Sequence, residues 1–231
     1  EAEGFGGLLY HSMDRGIDST GAFGVQEDTK TNKRTILYHK DTLSPADFLD
    51  TEQAAQVIFP KERKNTVLIG HNRWATVGDV TKKNAHPFVF PQIVGVHNGT
   101  IPAISLKHSP DHETDSEAFI RAVNDDGLDE TLERVDKSGG AFTLAYYDKA
   151  KHTANLIRNY QRPFAIAMSS GIVYGASEME MLRWYLDRVS KRTFTFKELE
   201  PWVLYTFSAD TFSEKPKERA IKRYIASYTV G

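Results

Sequence analysis

At 231 residues, with a formal charge of -2 and 26% charged residues, the chain has ordinary globular composition and can bury one sizeable core. That balance leaves no basic footprint for nucleic acid, no apolar run spans a bilayer, and the first residues show no signal-like pattern, so the expectation is a cytoplasmic protein with no membrane or nucleic-acid partner. Cysteine is absent, which excludes disulfides, thiolate metal sites and a cysteine nucleophile carried by these residues.

Taken in order, Gly7 to Met13 reads as the end of a helix closed by Arg15-Gly16, and Asp18 to Gly21 as a polar turn. Ala22 to Val25 and Thr35 to Tyr38 read as two strands around a polar link. Ser44-Pro45 is a helix start, predicting a short helix from Ala46 to about Ala55. Thr66 to Gly70 and Ile93 to Val96 are buried-strand patterns, each ending in a polar, turn-prone cluster: Gly70-His71-Asn72-Arg73-Trp74-Ala75-Thr76 and His97-Asn98-Gly99-Thr100. Polar groups just past buried strands combine a rigid support with access to solvent, so sites form there.

Thr114-Asp115-Ser116-Glu117 reads as a capping box opening a helix to about Val123, and a second helix is expected from Leu128 to Val135. Short β-rich runs follow at Ala141 to Tyr147, Ala154 to Arg158, Phe164 to Met168 and Ile172 to Tyr174. A helix to about Val189 has Leu182, Tyr185, Leu186 and Val189 at helical spacing, and two strands are expected near Phe194 and from Trp202 to Phe207. Blocks of strands and helices, without βαβ alternation, point to packed antiparallel sheets with helices outside. The expected organisation is a body over residues 1–212 and a charged tail over 213–231.

Arg15 to Gly21, Arg73 to Thr76, Asn84-Ala85-His86-Pro87, His97-Asn98-Gly99, Thr114 to Glu117, Gly140 to Phe142 and Gly175 to Ser177 together resemble the glutaminase domain of class II glutamine amidotransferases, within the N-terminal-nucleophile hydrolases. The resemblance implies an α+β fold, a four-layer αββα sandwich of two antiparallel sheets, here without the family's first strand. It implies hydrolysis of L-glutamine to glutamate and ammonia, with the ammonia passed to an acceptor domain or subunit, and no cofactor or metal.

On that resemblance Arg73 would grip the substrate α-carboxylate, because a guanidinium offers two parallel donors; its alternative is a structural arginine at a strand end. Asp115 would take the α-amino group, although an acid at a helix start is also stabilised by the dipole alone. The Asn98 amide and the Gly99 N–H would form an oxyanion hole; Asn-Gly is equally a common tight turn. Trp74 and Thr76 would sit on a loop closing over glutamine, where Val77 departs from the histidine of similar chains, while core packing is the alternative for Trp74. His86, His97, Arg15 and Asp18 read as architecture, and His108, Asp111 and His112 in one loop are a weak metal signal.

The family's nucleophile is a cysteine at the mature N-terminus. Glu1-Ala2-Glu3 offers no substitute, and Ser12, Ser19 and Thr20 carry no free α-amine. Two expectations follow: a glutaminase domain whose cysteine lies on an upstream segment, or a catalytically inactive relative that binds glutamine or serves as a scaffold.

Overall fold

The computed structural model describes residues 2–76, 78–103, 106, 111–210 and 215–223. Helix α1 (Ala2–His11) and a 3-10 turn at Met13–Arg15 precede strands β1 (Ser19–Asp28) and β2 (Arg34–Asp41). Helices α2 (Pro45–Leu49) and α3 (Glu52–Ile58) lead to β3 (Arg63–Arg73), β4 (Phe88–Val89) and β5 (Ile93–Thr100). Then come α4 (Asp115–Asp126), α5 (Leu128–Ser138), β6 (Ala141–Asp148), β7 (Thr153–Arg158), β8 (Ala165–Ser169), β9 (Ile172–Ala176), α6 (Met179–Val189), β10 (Thr195–Glu198), β11 (Val203–Ser208) and β12 (Lys217–Ala220).

The strands form a six-stranded sheet, ordered β12-β11-β7-β6-β5-β4, and two three-stranded ribbons, β2-β1-β3 and β10-β8-β9. All pairings are antiparallel. Period-2 alternation on β6 divides the six-stranded sheet into two faces. Phe142, Leu144 and Tyr146 pack with Phe119, Ile120, Leu132 and Val135 of α4 and α5, whereas Ala145 and Tyr147 pack with Phe23 and Val25 of β1. The ribbon of β8 lies on that same second face, where Ile166 meets Tyr205 and Leu156. Outside the ribbons, α1 to α3 cover the first through Phe48, Val57 and Ile58, and α6 covers the second through Leu182 and Leu186. The result is the expected αββα stack, with one β layer divided into two ribbons.

Local differences from expectation have identifiable causes. The single helix expected from Ala46 to Ala55 is two: Thr51 accepts from Ala54 N and starts α3 anew after Asp50 closes α2. The capping box at α4 is half formed. Thr114 Oγ1 accepts from Glu117 N at 3.2 Å, but the Glu117 carboxylate stands 3.2 Å from His112 Nδ1. Within the stretch expected as a charged tail, Lys217–Ala220 adds an edge strand beside β11, its side chains exposed and pairing outward, Glu218 with Lys197 and Arg219 with Asp129. Among the described residues no helix is long and apolar enough to cross a membrane. Thr114→Ala should cost about 1 kcal/mol, the usual worth of an N-cap acceptor, measured as a lower urea midpoint. An unchanged midpoint would mean that Asp115 alone holds the start of α4.

Candidate functional site

The site is assembled where β3, β5 and α4 end or begin. Arg73 is the last residue of β3 and is only 6% exposed. Its Nη1 donates to the Asp79 carbonyl at 3.1 Å and its Nη2 to the Gly78 carbonyl at 3.3 Å, so the guanidinium gathers the loop that follows it. Burial pulls its pKa down, and the charges of Asp18 and Asp115 push it back. The backbone around it is tightly held. Asp18 N donates to the Arg73 carbonyl, and Asp18 Oδ2 accepts from Ala75 N at 2.7 Å. Gly16 abuts the same bend: a Cβ there would lie 2.2 Å from the Arg73 carbonyl carbon, which explains the glycine.

Asp115 opens α4. Its Oδ2 accepts from Ile101 N at 2.7 Å and its Oδ1 from Ser116 N at 2.9 Å, which ties the end of β5 to the start of the helix. Burial pushes its carboxyl pKa up, while the hydrogen bonds and Arg73 oppose that shift. Arg73 and Asp115 therefore lie within each other's field, opposite charges in a partly desolvated setting.

Asn98 and Gly99 occupy the last turn-ward residues of β5, opposite Thr143 and Phe142 of β6. Gly99 has φ +152, and a Cβ would meet the Ala141 carbonyl oxygen at 1.9 Å. Close approach of two backbones, not a free hairpin turn, is what requires glycine here. Beneath this end lie three histidines. His71 and His86 ring centroids are 4.0 Å apart, and His97 Nδ1 is 2.9 Å from Ser116 Oγ. Burial is the first cause lowering all three, His71 to about 3 and His97 to about 4, so they are neutral at pH 7.

The remaining candidates are distributed differently. Trp74 is 64% exposed and Thr76 is exposed, which removes core packing as the role of the tryptophan and leaves both on the open loop. Arg15 pairs with Glu178, as an architectural contact. His112 pairs with Glu117; Val77 and His108 lie outside the described residues. A cavity of about 1390 Å³ runs between the two ribbons. Asn98, Asn72, His71 and Arg15 reach its wall; Arg73, Gly99, Asp115, Trp74 and Thr76 do not.

Reading the sequence alone missed Lys40. Its Nζ donates to the carbonyls of Lys83 at 3.0 Å and Ala85 at 2.7 Å, clasping the loop that carries Asn84 and His86, and burial pulls its pKa down to about 8. No local signal marks it, because donor and acceptors are over forty residues apart. Lys40→Met should cost about 1–2 kcal/mol by leaving the two carbonyls unpaired, read as a lower urea midpoint with faster proteolysis between Thr81 and Pro87. An unchanged cleavage rate would assign the clasp no role.

The layered stack is similar in fold to glutamine amidotransferases of known structure. Over 97% of the chain it superposes on 47% of the glutamine phosphoribosylpyrophosphate amidotransferase of B. subtilis, with TM-score 0.65 and 18% identity. It also superposes on a glutamine aminotransferase class-II domain protein from Silicibacter pomeroyi, with TM-score 0.53 and 14% identity, covering 88% of this chain and 99% of that one. In sequence the chain is similar to glutamine–fructose-6-phosphate aminotransferases (isomerizing). Two from Bradyrhizobium diazoefficiens are 28% and 30% identical over 66% and 60% of this chain. The chain spans only 26% and 24% of those relatives' lengths. No protein-family profile matches it.

Proposed function

We propose that the chain is the glutamine-hydrolysing domain of an amidotransferase. L-Glutamine is held as a zwitterion, its α-carboxylate against Arg73 and its α-amino group against Asp115, with Trp74 and Thr76 on the loop above. The side-chain amide carbon is attacked by a thiolate, the developing oxyanion is met by the Asn98 amide and the Gly99 N–H, and ammonia leaves. Water then releases glutamate, and the ammonia passes to an acceptor domain or subunit. The observation that carries this reading is the knitting of three distant segments into one place: Ile101 N bonded to Asp115, and Asp115 and Arg73 each acting on the other's charge. Opposite charges that share a partly buried setting suit a free amino acid.

Residues 1–231 contain no cysteine, so the thiol has to be delivered by polypeptide outside them. The test is direct. The whole gene product should release ammonia from L-glutamine in a coupled glutamate dehydrogenase assay, while residues 1–231 should bind L-glutamine calorimetrically without hydrolysing it. Absence of glutamine binding by either protein would end the proposal. The lack of cysteine favours one second reading, an inactive relative that binds glutamine or organises an assembly. Binding by the whole gene product without ammonia release would select it.

A further inference from the structure

The two charged ends of a small ligand are gripped together only if the groups that receive them keep a fixed separation, because a second contact adds to the first only when the spacing fits. Arg73 closes β3 and Asp115 opens α4, far apart along the chain, so their separation is not set by local backbone. Asn84 bridges the two segments. Its side chain is fully buried, and its Nδ2 donates to the Asp79 carbonyl at 3.1 Å and to Glu113 Oε2 at 2.9 Å. Both partners are acceptors, so the amide stands with its nitrogen toward them. The Asp79 carbonyl is the one that also accepts from Arg73 Nη1, which puts the guanidinium and the amide on the two lone pairs of a single oxygen. Glu113 immediately precedes Thr114, the N-cap of α4, and stands two residues before Asp115.

The same two segments are in contact beside the amide. Gly78, with φ +75, rests on the start of α4: a Cβ there would meet the Glu113 carbonyl oxygen and Thr114 Cγ2, each at 3.0 Å. That packing brings the segments together, and the directional bonds of Asn84 fix how they meet. Asn84 is itself held firmly. Its N donates to the Thr81 carbonyl at 3.1 Å, and Lys40 of β2 donates to the carbonyls of Lys83 and Ala85 on either side of it. Lys83 Nζ, 2.9 Å from Glu113 Oε1, and then the Asn84 amide hold the Glu113 carboxyl below its ordinary range. The acceptor is therefore ionised at neutral pH, and bonds to an ionised acceptor are the stronger kind.

We propose that Asn84 is a positioning residue: through the Asp79 carbonyl and Glu113 it sets the separation of Arg73 and Asp115, and with it the fit of the clamp to a free α-amino acid. The assignment rests on the glutamine-binding reading of the site. Asn84 acts through the two segments, not by contact with the ligand. Removing the link leaves each acceptor another donor, Arg73 for the Asp79 carbonyl and Lys83 for the Glu113 carboxylate, so neither is orphaned. The Glu113 side chain is also half-exposed, and truncating it opens no core.

Calorimetry on the whole gene product tests this with L-glutamine and two one-ended ligands, 4-carbamoylbutanoate, which lacks the α-amino group, and 4-aminobutanamide, which lacks the α-carboxylate. Asn84→Leu and Glu113→Ala should each weaken L-glutamine binding about tenfold, and the double variant by little more than either alone, as for two residues of one network. Glu113→Gln keeps an acceptor for the amide and should retain most of the affinity. The one-ended ligands, indifferent to spacing, should change by less than about threefold in every variant. A link that serves stability alone would lower the urea midpoint and leave the ratios of the three affinities unchanged, which would overturn the proposal. L-Glutamine affinity equal to the parent's in Glu113→Ala would do the same. Failure of the parent to bind L-glutamine would take down the clamp reading and this assignment together, whereas binding by the parent with no selective loss in the variants would remove only the role of Asn84.

Discussion

Arg73→Ala is expected to weaken L-glutamine binding by about 30-fold or more, because truncating one partner of a buried, hydrogen-bonded charge pair costs about 2–5 kcal/mol. The geometry explains why this should be the most sensitive position. The guanidinium is anchored by the carbonyls of Gly78 and Asp79, so it is held in place before a ligand arrives, and the charge of Asp115 acts on it. Arg73→Lys keeps the charge and loses the fork, so it should recover only part of the affinity. Because Arg73 also gathers the loop from Gly78, the variant must be compared by urea midpoint; a loss of affinity with an unchanged midpoint assigns the effect to the ligand. The reading fails if calorimetry shows equal glutamine affinity in the Ala variant and the parent. Asp115→Asn offers an independent check: it should impair L-glutamine more than a ligand lacking the α-amino group.

Acid should unfold the protein between pH 6.5 and 4.5 through its buried histidines. Each of His71, His86 and His97 has a folded-state pKa below the ordinary value of 6.5, burial being the first cause. A neutral group that the fold keeps neutral takes up its proton more readily when unfolded. The unfolded state therefore binds more protons, and stability falls as pH drops below 6.5 until the folded pKa is reached. With His97 lowered to about 4, that residue alone removes about 2.5 kcal/mol by pH 4.5. His71, lowered to about 3, acts in the same direction, although part of it borders the cavity between the ribbons and its share is smaller. His86, 3% exposed with neither ring nitrogen hydrogen-bonded, adds to the trend. Asp115, whose pKa is raised, opposes it, because its protonated form is favoured in the fold. Urea midpoints at pH 7.5, 6.0, 5.0 and 4.5 should decline steeply below 6.5, and His97→Gln should flatten the curve. A flat profile down to pH 5 would refute the assignment.

The amino-acid order by itself determined most elements and the identity of the candidate set. An apolar run marks β5 and β-rich runs mark β6 and β7, Thr114 marks the start of α4, and the polar clusters at Arg73 and Asn98 stand out because each ends an apolar run. These are local signals, written within a turn or a strand, and local spacing is enough to read them. Only the tertiary structure decided how these pieces meet. The tie from Ile101 to Asp115, the Lys40 clasp and the neutral histidine cluster each join segments far apart along the chain. Such relations depend on register and on which edges remain unpaired, quantities that no single stretch encodes, because a backbone edge is open or filled only with respect to its neighbours in space.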